Sequence, residues 1–282
     1  MPITHPMDLP SIRFGRVRVP RPLADADLPD ADAASIPNLC LASREFLTGL
    51  ELVRTITSRS ELEVMPDGDG HPVVVLPGFL AGPLSTVVLR SFLRSHGYRT
   101  YDWGHGRNLG VREEMRLSLE RRLEAICDQH GRRTSLVGWS AGGIFARELA
   151  RGRPDLVRSV ITMGTPIRGN MRATAAWPSY SLLNRGRHTP DMSPESVRLR
   201  SSPLVVPTTC IYSKWDGIVA WQLCTSTPAP RTENIQVHCR HLGFGHDVET
   251  LRVIADRLAQ PEGQWEPYPT SLTPRQADRP VA

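Results

Sequence analysis

The chain has 282 residues, enough for one α/β domain with a full core, and its 40% apolar and 22% charged content is that of a globular protein in water. The net charge of +5 is almost all arginine, Lys214 being the single lysine, and the arginines are scattered along the chain; nucleic acid is therefore not an expected partner. Five cysteines without a Cys-x-x-Cys argue against a disulfide framework. The longest apolar run, Val73 to Leu89, is broken by Pro77, Gly78, Gly82 and Pro83, which excludes a membrane span. With no signal-peptide core in MPITHPMDLPSIRFGRVRV, a cytoplasmic protein is expected.

Residues 1–40 are rich in Pro and Asp, lack periodicity and read as an extended arm. From Leu41 to about Ser58, Phe46, Leu50, Val53 and Ile56 recur at helical spacing. Asp67-Gly68-Asp69-Gly70 marks a tight turn; the later oxygen ligands of a calcium loop are absent. Val73 to Leu76 reads as a buried strand ending in Pro77-Gly78-Phe79-Leu80, followed by a helix over 84–96 and a strand over 98–103. Gly104 to Gly110 then looks like a dinucleotide fingerprint. Its glycine spacing is wrong and no acidic residue closes the next strand, so no cofactor is expected. Met115, Leu119, Leu123 and Ile126 form a helical stripe ahead of the strand Thr134–Val137. Val160–Met163 is a further strand, and His96-Gly97, His130-Gly131 and Arg151-Gly152 are helix stops. The rhythm breaks over 167–202, a segment rich in Arg, Ser and Pro that is expected to cap the active site. Strands over 205–212 and 234–238 and a closing helix from Val248 to Leu258 complete the domain, placed at 41–266, before a tail over 267–282. The alternation of strand and helix predicts a mostly parallel sheet covered on both faces.

Gly138-Trp139-Ser140-Ala141-Gly142 sits between a predicted strand and a predicted helix. That setting is a nucleophile elbow, in which a serine on a strained turn is raised above the sheet. A serine hydroxyl needs a base, and the base an orienting carboxylate, in chain order Ser, Asp or Glu, His. Asp216 follows a late strand and His241 follows the last one, so these two are the candidate acid and base, with His246 the alternative base and His238 assigned to the strand. The backbone N–H groups of Ala141, next to the nucleophile, and of Phe79, in the loop after the early strand, are the candidate oxyanion donors. Leu80, Trp139 and Trp215 flank these residues, and Trp177 and Tyr180 belong to the cap; all are candidates for an apolar substrate pocket or for core packing. No His-Glu-x-x-His or paired cysteines suggest a metal.

From Val73 to Trp265 the chain resembles the α/β-hydrolase superfamily, in particular its bacterial lipase- and esterase-like members. The resemblance rests on LPGFLAGP, WGHGRNLG, LVGWSAGG, ITMGTPIRG, SKWDGIV and the HLGFGH segment. It implies that fold, a cap insertion and a small-molecule ester substrate with an apolar acyl group, and it carries the roles of nucleophile, acid and base onto Ser140, Asp216 and His241. Pro77-Gly78 stands where many lipases have His-Gly. Acyl transfer through the same three residues and a non-catalytic binding role are the alternatives; the oligomeric state is left open.

Overall fold

A computed structural model describes residues 20–110, 113–185 and 193–269. The parts of the predicted arm before residue 20, of the cap at 186–192 and of the tail after 269 lie outside the described residues. In chain order the strands are β1 (Arg21–Pro22), β2 (Pro72–Leu76), β3 (Arg99–Asp102), β4 (Thr134–Trp139), β5 (Val157–Met163), β6 (Thr208–Ser213) and β7 (Thr232–Val237). They form one sheet in the order β1-β7-β6-β5-β4-β2-β3, parallel throughout except for β1, which runs antiparallel to β7. The chain moves outward from β2 to β3, returns to the other side of β2 as β4, and then continues outward. That reversal opens a crevice beyond the C-terminal ends of β2 and β4, where ligands bind in open α/β sheets.

The helices are α1 (Leu39–Arg44), α2 (Thr48–Thr57), α3 (Arg59–Glu63), α4 (Val87–Ser95), α5 (Glu113–His130), α6 (Ala141–Gly152), α7 (Trp177–Leu183), α8 (Pro194–Ser201) and α9 (Val248–Leu258). Side chains alternate along each strand and so supply two cores. Val73, Val75 and Val137 pack on Leu89 and Phe92 of α4 and on Leu251 and Ile254 of α9. Val74, Leu76 and Leu136 pack on Leu119 and Leu123 of α5 and on Phe145 and Leu149 of α6. Gly97 and Gly131 take the positive φ of helix-terminating glycines, 85° and 59°, whereas Gly152 is still helical.

Two terminal segments lie against the domain. The described arm contributes β1, and Ala31 packs beside Leu223. In the tail, Tyr268 is buried, its N–H donating to Glu233 at 2.8 Å and its ring under Arg257. No helix among the described residues is long and apolar enough to cross a membrane.

The helix predicted from Leu41 to about Ser58 is divided into α1 and α2 by a 3₁₀ turn at Glu45–Leu47, and its polarity is inverted. Phe46, Leu50, Val53 and Ile56 face outward, Phe46 being 90% exposed, while Glu45, Glu51 and Thr55 are buried. The buried carboxylates bind the loops that hold Asp216 and His241.

Candidate active site

Ser140 follows β4 directly and precedes the first residue of α6, with φ 53° and ψ −123°. A non-glycine residue held there stores on the order of 1–3 kcal/mol of strain, which the surrounding structure must offset. A Cβ at Gly142 would fall on the carbonyl of Leu76, and one at Gly138 on Gly143, so the corner closes only with glycine at these positions. The N–H of Ser140 donates to the carbonyl of Met163 at 2.8 Å, which ties the turn to the end of β5.

Asp216 and His241 come from loops after β6 and β7, and both side chains are buried. Nδ1 of His241 lies 2.7 Å from Oδ2 of Asp216, so the imidazole donates to the carboxylate. The other carboxylate oxygen accepts the N–H groups of Ile218 and Val219 at 2.8 and 2.7 Å. Burial alone would lower the pKa of His241. The Asp216 charge and hydrogen bond, with the charge of Glu45, overcome burial and raise it above the ordinary histidine value. The pair fits because position 164, where β5 ends, is a glycine at φ 53°. A Cβ there would stand 3.0 Å from Nδ1 of His241 and 3.1 Å from Oδ2 of Asp216. Among the described residues Ser140 Oγ makes no hydrogen bond, and contacts of this kind commonly close only when substrate is bound.

The alternative histidines are engaged elsewhere. Nε2 of His246 lies 3.3 Å from the carbonyl of Thr48 on α2, and Nδ1 of His238 lies 3.0 Å from Glu249.

The loop Pro77–Leu80 adjoins the serine, since a Cβ at Gly78 would lie 3.3 Å from Ser140 Cβ. The N–H of Ala141, in the first turn of α6, has no intrahelical acceptor. Among the described residues no acceptor takes the N–H of Phe79. Leu80, at φ 62°, donates its N–H to the carbonyl of Asn108 at 2.7 Å. The fully buried Asn108 in turn donates Nδ2 to the carbonyl of Pro77 at 2.8 Å. The glycine-rich segment that imitates a dinucleotide fingerprint is therefore the brace of this loop, a role that sequence alone did not reveal.

Glu45 is the other residue that sequence reasoning missed. Its Oε1 accepts the N–H of Gly217 at 2.8 Å and of His241 at 3.0 Å, and its Oε2 accepts that of Leu242 at 2.9 Å. One buried carboxylate thus joins the Asp216 loop to the His241 loop. Glu51 does similar work one step on, accepting the N–H of Arg240 at 2.9 Å and its guanidinium at 2.8 Å.

A cavity of about 550 Å³ opens at Ser140 and Ala141. Phe79, Ile144, Ile167, Met171 and Val219 give it apolar walls. From the segment expected to be a cap, α7 supplies Trp177 and Tyr180 and α8 supplies Leu199 and Arg200. Of the five residues considered for the pocket, Trp177 and Tyr180 line this cavity; Leu80, Trp139 and Trp215 do not. Trp139 points into the core and donates its indole N–H to the carbonyl of His241 at 3.1 Å. Trp215 packs edge-on against His238, and Leu80 is on the surface. Among the described residues no group of three or more His, Cys, Asp or Glu side chains could hold a metal ion.

Among curated proteins none matches the chain in sequence. Among solved structures, Aspergillus fumigatus lipase B superposes with a TM-score of 0.54 at 17% identity, over 70% of this chain and 54% of that one. The mature Bacillus licheniformis lipase BlEst2 gives 0.51 at 16% identity, over 70% and 95%. One of the metagenome-derived lipolytic enzymes LipS and LipT gives 0.51 at 14% identity, over 69% and 94%. At these identities the likeness is one of fold. The profile of the Alpha/beta hydrolase family matches residues 73–275, which include the serine elbow and the loops of Asp216 and His241. By that match over most of its length, the chain belongs to the α/β-hydrolase family.

Proposed function

We propose that the protein is a serine hydrolase that cleaves carboxylic esters through an acyl-enzyme on Ser140. The observation that carries this reading is the 2.7 Å contact of Asp216 with His241 Nδ1, at the sheet edge where Ser140 is held at positive φ. In this mechanism His241 Nε2 removes the Ser140 proton as Oγ attacks the ester carbonyl. Asp216 fixes the tautomer and stabilises the imidazolium. The N–H groups of Phe79 and Ala141 bind the oxyanion, the latter aided by the α6 dipole. Collapse of the tetrahedral intermediate expels the alcohol, which takes the proton from His241. Water, activated by the same histidine, then releases the acid and restores Ser140. The apolar walls near Ser140 suit an aliphatic or aromatic acyl group. All five cysteines are free, in keeping with a reducing, cytoplasmic setting.

Intact-mass analysis after exposure to a fluorophosphonate tests this directly. One adduct per chain is expected, mapped to Ser140 and absent from Ser140→Ala, together with turnover of p-nitrophenyl esters by the wild type. Labelling that persists in Ser140→Ala, or a folded wild type that neither labels nor turns over esters, would overturn the proposal.

A further inference from the structure

The cavity is apolar at the serine but cationic at its far end. Ala141, Ile144, Arg147, Glu148, Arg151 and Gly152 all line it and recur at three- and four-residue spacing, so one face of α6 forms its wall. At 1.5 Å per residue, Arg147 lies about 9 Å and Arg151 about 15 Å along the axis from Ala141. Arg200 reaches the same cavity from α8, and Glu148 is the single carboxylate among the described lining residues.

Arg147 is 1% exposed. Its Nη2 donates to the carbonyls of Ser202 at 2.8 Å and Arg200 at 3.4 Å, while Nε and Nη1 have no hydrogen-bond partner. Arg151 donates Nη2 to the carbonyl of Ser202 at 3.0 Å and to its hydroxyl at 3.3 Å. Among the described residues no carboxylate lies within ion-pair distance of either guanidinium, although the charge of Glu148 acts on Arg151. Tethering α8 occupies only one nitrogen of Arg147. The two unused nitrogens are themselves closed off from solvent, so Arg147 brings an uncompensated buried charge to this end of the cavity, and half-buried Arg151, which lines it, brings donors within reach; together they call for an anion. The planar donor fork matches a carboxylate.

Resting on the esterase reading above, we infer that the substrate is an ester whose acyl chain ends in a carboxylate. The ester carbonyl lies at Ser140, the apolar chain runs along α6, and the distal carboxylate binds at Arg147 and Arg151. A chain of roughly eight to twelve carbons covers the distance along the helix.

The test compares p-nitrophenyl half-esters of α,ω-dicarboxylic acids with p-nitrophenyl alkanoates of equal length, in wild type, Arg147→Met and Arg151→Gln. In the wild type at low salt, kcat/KM is expected to be at least ten times higher for the half-ester at some length in this range, mainly through KM. The preference should shrink as salt screens the charges and fall toward one in Arg151→Gln, which keeps the assay informative if Arg147→Met does not fold. Equal or better turnover of the neutral ester at every length would overturn the carboxylate site and leave the esterase reading standing. If neither ester is cleaved, the esterase reading fails, and calorimetry with dodecanedioic acid monomethyl ester against its dimethyl ester decides the site alone. Tighter binding of the monoanion supports the site; equal binding overturns it.

Discussion

His241 is held at two points, its ring by Asp216 and its backbone N–H by Glu45. Because the charges of both carboxylates oppose burial and raise the pKa, the neutral imidazole needed as a base appears only above the ordinary histidine range. The acid limb of kcat/KM against pH for a neutral ester is therefore expected above about pH 6.5. Asp216→Asn should move that limb down and lower kcat by about 10⁴, because the tautomer is no longer fixed. Glu45→Gln keeps an acceptor for Gly217 and His241 but gives up the charge. It should fold, lower kcat more than it changes KM, and shift the acid limb in the same direction by a smaller amount. A Glu45→Gln profile superimposable on wild type would mean that the clamp has no bearing on His241. Glu45 was not legible in the sequence: it lies far upstream of the elbow, and carboxylates on a short amphipathic helix ordinarily face water. Ser140, Asp216 and His241 were visible as candidates because each sits just past a strand, where local pattern and chain order constrain the choice.

At the scale of elements, the departure from expectation is α2. Apolar residues at helical spacing ordinarily mark the core face, yet here the buried stripe is Glu51 and Thr55, whose acceptors and hydroxyl meet the Arg240–His246 segment. Spacing predicts that a helix forms; which face is buried depends on partners distant in sequence, Arg240 and His246, that periodicity cannot register. Urea denaturation should reverse the usual ranking of substitutions. Phe46→Ser is expected to change stability by less than about 0.5 kcal/mol. Glu51→Ala, which strands the Arg240 N–H and guanidinium, should cost about 2–4 kcal/mol. A large loss for Phe46→Ser in dilute monomer would contradict the outward orientation of the apolar face that runs from the turn before α2 into α2. Asp247, which caps α9 through the Thr250 N–H at 2.9 Å, shows a second consequence of burial. Desolvation outweighs that hydrogen bond and raises its pKa from 3.8 to about 7. Between those values the native state retains a proton that the unfolded chain releases. The contribution to stability is therefore complete below about pH 4 and lost as pH rises through 7. Asp247→Asn keeps the cap without the titration. Relative to wild type it should gain on the order of 1–3 kcal/mol between pH 4 and 8, read from urea midpoints.

Across the whole molecule, the family match covers residues 73–275, whereas much of what fixes the Asp216 and His241 loops comes from before them. The general α/β architecture was legible because the central strands β2 and β4, buried on both faces, read as short apolar runs and the helices beside them carry their own stripes. The placement of residues 20–63 was not, because two-residue β1 carries no periodic signal and the periodicity of α2 marks its exposed face. Yet this segment supplies the strand on the edge of β7, the Glu45 clamp and the Glu51 anchor. A chain beginning at Met65 would retain strands β2 to β7 and every residue assigned a chemical role, but would leave the N–H groups of Gly217, Arg240, His241 and Leu242 without their carboxylates. Such N–H groups take water instead, and the two loops lose their common tether. The expected outcome is a truncated protein with helical and strand circular dichroism but at least a hundredfold slower fluorophosphonate labelling of Ser140, and lower stability toward urea. Labelling at the wild-type rate would show that the strands alone set the geometry of Asp216 and His241. Slow labelling with secondary structure intact would assign that geometry to a segment lying outside the part of the chain that the family shares.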